Sequence, residues 1–134
     1  MIDIESIIFQ RLSTVLRANY SEISVYGEYV KTPAVFPCVT IEEKDNYVLE
    51  RTQSSGGIEN HAGLMYEINV YSNKKTGKKS QCKDIFSLID REMQDMGFTR
   101  IMLNPIPDID DATIYRMVGR YKAVVSTNKT IYRR

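Results

Sequence analysis

Tryptophan is absent from this 134-residue sequence, histidine occurs once, cysteine twice and proline four times. Each scarcity removes a class of function. Cys38 and Cys82 belong to no CxxC or Cys/His cluster, so neither a disulfide scaffold nor a zinc site can be built from them. Cys38 opens an apolar strand and Cys82 falls on an apolar helix face, which reads as two buried thiols in a reducing compartment. The single histidine, His61, stands in Glu59-Asn60-His61-Ala62-Gly63, inside a polar stretch. Any Ser-His-Asp or Cys-His arrangement would have to use it, and a solvated loop histidine is the expectation there. Net charge is lacking too. Its formal value is +1, with acids and bases mixed along the chain, which offers no bulk pull toward nucleic acid or an anionic membrane. No apolar run approaches the roughly 20 residues of a membrane span, and the N-terminus has no basic stretch followed by a cleavage site. The expectation is a soluble protein made in the cytoplasm.

What is present suits one globular domain over residues 1–134: 43% hydrophobic and 26% charged residues, without repeats or low-complexity runs. Ile4, Ile7, Ile8, Leu12, Val15 and Leu16 recur at helical steps and predict a helix over 3–19, with Asp3 at its start. A short strand with Ile23 and Val25 ends near Gly27. Pro33 and Pro37 then suit an extended edge. A strand opens at Cys38, with Val39 and Ile41 on one face. Its partner runs from Leu64 to Tyr71, with Leu64, Tyr66, Ile68 and Val70 pointing one way and Met65, Glu67, Asn69 and Tyr71 the other. Between them, residues 44–63 form a long hairpin arm or a loop. A second helix is predicted over 78–96, ended by Gly97 and Phe98 in a Schellman turn. A strand from Phe98 to Leu103 is stopped by Asn104-Pro105-Ile106-Pro107. A last strand over 113–127 is long enough to carry a bulge at Gly119. The fold class is α+β, a mixed and mainly antiparallel sheet with two helices packed on it, in the order α-β-β-β-α-β-β.

Motifs that would carry chemistry fail on spacing. Asp108, Asp110 and Asp111 open like a calcium loop, but its Gly and Glu positions hold Thr113 and Gly119. Lys74-Lys75-Thr76-Gly77-Lys78-Lys79-Ser80 is not a phosphate loop, since Ser72 and Lys79 stand where Gly and Ser or Thr are required. No enzyme, metal or cofactor is expected. Lys74, Lys75, Lys78 and Lys79 crowd a helix N-terminus, where an anionic partner would relieve them and a hydrated turn is the simpler reading. Nine tyrosines are many for this length. Tyr20, Tyr26, Tyr29, Tyr47, Tyr115, Tyr121 and Tyr132 lie in loops or near the C-terminus, and tyrosine is enriched at interfaces. Tyr115 and Tyr121 interleave with Arg116 and Arg120, and Arg133 and Arg134 follow Tyr132. That is also the look of a nucleic-acid surface, which the near-neutral charge argues against.

Several segments resemble the tail terminator (tail completion) proteins of long-tailed phages, especially those of prophages in Gram-positive bacteria. They are Phe36-Pro37-Cys38-Val39-Thr40-Ile41, Val70-Tyr71-Ser72-Asn73, Met96-Gly97-Phe98, Ile114-Tyr115-Arg116-Met117-Val118-Gly119-Arg120-Tyr121 and Ile131-Tyr132-Arg133-Arg134. The resemblance implies a mixed sheet flanked by helices and a hexameric ring. Such a ring caps the tail tube, ends its polymerisation and joins it to the head connector, with DNA passing through the lumen without sequence-specific binding. It would sit in the virion tail after assembly in the bacterial cytoplasm. Subunit and tail contacts are then expected from the arm and the last strand: Tyr47, Leu49, Ile58, Tyr115, Arg116, Arg120 and Tyr121. The four lysines would face the lumen or the tube. Another head-tail connector or neck protein, and a nucleic-acid-binding module, are the alternatives.

Overall fold

The structure, a computed structural model, describes residues 1–31, 33–49, 60–107 and 111–132. Ile8, Leu12 and Leu16 recur every four residues and are all buried, which sets the inner face of helix α1, Glu5–Asn19. Ile7 leaves the expected stripe and is exposed, because it shares the outward stripe of Arg11 one turn on. Ile4 holds the N-cap position, and Asp3 supports the start by accepting the Glu5 N–H at 3.0 Å.

Helix α2, Lys78–Asp95, buries Cys82, Ile85, Phe86, Ile89 and Met93. It ends in the expected Schellman turn: the Phe98 N–H donates to Met93 O and the Gly97 N–H to Gln94 O, both at 2.9 Å, with Gly97 at φ 103°. Phe98 then folds under the helix and meets the Tyr66 ring edge-on at 5.6 Å.

The strands are β1 (Ser24–Tyr26), β2 (Cys38–Val48), β3 (His61–Ser72), β4 (Thr99–Pro107), β5 (Tyr115–Ser126) and β6 (Ile131–Tyr132). Among the described residues they form one α+β sheet in the order β1-β2-β3-β5-β4, with β6 also on β5. β1 is parallel to β2 and every other pairing is antiparallel. Both helices cover one face, where Val39, Ile41, Leu64, Tyr66, Ile68, Val70, Met117, Ala123 and Val125 join the inner faces of α1 and α2 in one core. Alternation in β3 therefore works as read.

Three strand expectations change. β5 carries no bulge at Gly119: its register with β3 is unbroken from Ser72↔Tyr115 to His61↔Ser126. The bulges sit elsewhere, between Glu43 and Asp45 in β2 and between Arg100 and Met102 in β4. β4 also runs through Pro105 and Pro107 instead of stopping at Leu103, which an edge strand tolerates because its outer side needs no N–H donor. The flanks of the 44–63 segment take the hairpin form, with Val48 opposite Ala62 and the Leu49 N–H on His61 O at 3.1 Å. They are not a free-standing arm, since β5 runs alongside β3 as far as His61. His61 is accordingly a half-buried strand residue rather than a solvated loop histidine, with its ring 5.8 Å from that of Tyr132.

Candidate functional surfaces

Period-two alternation splits the expected contact residues of β5 between two faces. Arg116 and Arg120 lie on the face without helices. Tyr115 and Tyr121 lie on the helix side. Tyr121 is a correction: it is fully buried in the core, and its hydroxyl donates to Asp90 Oδ1 at 3.0 Å. That burial and the adjacent Asp90 carboxylate push its phenol well above the usual tyrosine range. Tyr115 is half-buried against the core, and its carbonyl lies 3.7 Å from the Cys82 thiol.

Tyr47 lies across Gly63 on the hairpin. A Cβ on Gly63 would stand 2.3 Å from Tyr47 Cζ, so only glycine lets the ring lie down there. Leu49 is half-buried at the end of the hairpin ladder. Ile58, Asp108, Asp110, Arg133 and Arg134 lie outside the described residues.

The helix-free face holds a polar network that the sequence reading did not assemble. Register sets Glu42, Glu67 and Arg120 side by side, with Thr40, Asn69 and Val118 in the next row and Cys38, Tyr71 and Arg116 in the one after. Arg120 grips Glu67 Oε1 through Nε at 3.1 Å and through a terminal nitrogen at 3.0 Å. Lys44 reaches Glu42 at 3.5 Å and Glu67 at 3.9 Å. Arg116 Nε donates to Asn69 Oδ1 at 2.9 Å, and its guanidinium carbon sits 5.5 Å from the centre of the Tyr71 ring. Asn69 and Thr40 are fully buried beneath these long side chains. The signal for Glu67 and Asn69 was their place between the core residues of β3. Only the register shows that they meet arginines. At one end of this face Cys38, Tyr71 and Ile114, with Phe36 against them, form a second small core.

The lysine turn is less frustrated than the sequence implies. Helix α2 starts at a left-handed Gly77 with no side-chain cap and no acid in its first turn. Asp111, held below the ordinary carboxylate range mainly by hydrogen bonds from Thr113, also feels Lys78 across the gap. Lys74, Lys75 and Lys79 are exposed and Lys78 is half-buried.

On the opposite side of the sheet, Glu43 accepts a hydrogen bond from the Tyr66 hydroxyl at 3.1 Å, while its own N–H donates to Glu5 Oε2 at 3.1 Å. Burial, and then repulsion from Glu5 and Asp3, raise the Glu43 carboxyl above its ordinary range. Both thiols are free and buried. Among the described residues no group of His, Cys, Asp and Glu could hold a metal ion, and no helix is long and apolar enough to cross a membrane. No protein-family model matches the sequence, and no curated protein matches it either.

Proposed function

We propose that this chain is a structural subunit of a phage or prophage tail terminator, forming a ring that caps the tail tube, ends its polymerisation and joins it to the head connector. One observation carries the reading. The segments that resemble that family are scattered along the sequence but adjacent in space. Phe36 and Cys38, Tyr71, and Ile114 come from three of those segments and build the second core. Cys38, Tyr71 and Arg116 then line up across β2, β3 and β5. Two more segments meet at Gly97, where an added Cβ would stand 3.1 Å from Ile131 Cγ2. Short likenesses that pack together describe one shared substructure better than unrelated coincidences do.

Removing the protein from the phage that encodes it should leave overlong or uncapped tails in electron micrographs of the lysate. Tails of normal length with filled heads attached would overturn the reading. Normal tails beside unattached heads would point instead to a neck or connector role. The basic residues Arg116, Arg120 and Lys122 on one sheet face favour a second reading, contact with nucleic acid. It predicts binding that weakens steeply with salt.

A further inference from the structure

We propose that Arg116 receives a carboxylate from a second copy of this chain, supplied by the corner where Asp3 and Glu5 flank Glu43. The inference rests on the reading that copies associate, and it names the contact between them. Arg116 is already positioned. Its Nε is fixed on the fully buried Asn69, and its guanidinium carbon lies over the nearly buried Tyr71 ring. Its terminal nitrogens meet no carboxylate among the described residues, whereas Arg120 and Lys44 are both tied to Glu67. A guanidinium held by Nε presents a fork to any carboxylate that arrives, and little further side-chain freedom is lost on binding. A phosphate backbone would carry repeated negative charge across Glu42 and Glu67 in a nearby row. A single carboxylate avoids that conflict.

The complementary charge lies on the same molecule, out of its own reach. Asp3 and Glu5 spend one oxygen each on the backbone N–H groups of Glu5 and Glu43. No cation pairs with Asp3, Glu5 or Glu43 among the described residues, and Glu43 relies on a neutral tyrosine hydroxyl. Glu43 pairs across β2 and β3 with Tyr66 on the helix side of the sheet, and Arg116 lies on the other side. Within one copy the two cannot touch. Between copies they form a heterologous contact, with different surfaces on the two partners, which is the kind that propagates around a ring.

Sedimentation of the full chain over a concentration series tests the contact. The wild type should associate, and less so at high salt. Arg116→Glu and Glu5→Arg should each weaken association by about tenfold or more, and Arg116→Lys by less, since it keeps the charge but not the fork. The doubly reversed chain, Arg116→Glu with Glu5→Arg, should recover most of the wild-type affinity. Circular dichroism shows whether each variant folds, and Arg116→Gln replaces Arg116→Glu if the latter does not. A monomeric wild type, unchanged association of the folded Arg116 variant, or no recovery in the double reversal would each overturn the contact. An Arg116→Glu protein that caps tails normally also overturns it, yet leaves the tail terminator reading standing. That reading fails only if tails are normal without the protein.

Discussion

Gly119 lies directly against the ring of Phe86: a Cβ at position 119 would stand 2.7 Å from Phe86 Cε1. The strand and helix α2 approach this closely only because the side chain is missing. Gly119→Ala should therefore lower stability by about 1–3 kcal/mol, the usual range for overpacking a filled core. Chemical denaturation measures it. Adding Phe86→Leu should recover part of the loss, because the smaller side chain vacates the space the new methyl needs. If Gly119→Ala leaves the midpoint unchanged, the packing described between β5 and α2 is wrong.

Gly119 also shows where sequence reading stops. A glycine in a long strand reads as a bulge, because sequence displays the backbone freedom and hides the ring above it. The elements themselves were legible: the four-residue steps of α1, the alternation of β3 and the Gly97-Phe98 ending of α2 are local signals. Tyr121 was not. It interleaves with arginines as an interface tyrosine would, and only the packing of α2 across β5 gives its hydroxyl Asp90 and buries its ring. The hold of Asn69 on Arg116 was equally hidden, since the two are far apart in sequence and joined only by the β3–β5 register. Both bulges fall on β2 and β4, where the ladder breaks without any glycine to announce it.

Glu43 gives the protein a pH dependence of defined sign. Its carboxyl is raised in the folded state, chiefly by burial, so ionising it disfavours the fold. The penalty is absent below the ordinary carboxylate range, grows as pH rises from there toward the raised folded value, and is complete above it. Glu43→Gln keeps an oxygen for the Tyr66 hydroxyl and removes the charge. Urea unfolding should show this variant more stable than wild type at pH 7, with the gain disappearing at acid pH. A variant less stable at pH 7, or a gain that grows toward low pH, would contradict the environment described for Glu43.

Neither thiol should react in the folded protein. Burial pushes the Cys82 thiol up to about 12 and also raises Cys38, so almost no thiolate exists near neutral pH. An aromatic disulfide reagent at pH 8 should label neither cysteine quickly in buffer and both in denaturant. Rapid labelling of Cys82 in buffer would mean that α2 separates from β3 and β5 without global unfolding.

Residues 50–59, which join β2 to β3 in sequence, offer a test that separates folding from the proposed assembly. The described ladder already closes at its base: Val48 pairs with Ala62, Leu49 bonds His61, and Asn60 O accepts the Thr127 N–H at 3.0 Å. None of these contacts needs residues 50–59. Replacing that stretch with a short Asn/Gly turn should leave the thermal midpoint within a few degrees of wild type, while cutting out 47–60 would remove paired strand residues and confuse the two effects. If residues 50–59 meet a neighbouring subunit or the tube, the shortened protein should fold, fail to join rings and leave tails overlong. Normal tail length with the shortened chain would move the contact off the hairpin. The helix-free face around Arg116 would then be the surface to change next, because it already presents a positioned charge that meets no carboxylate among the described residues.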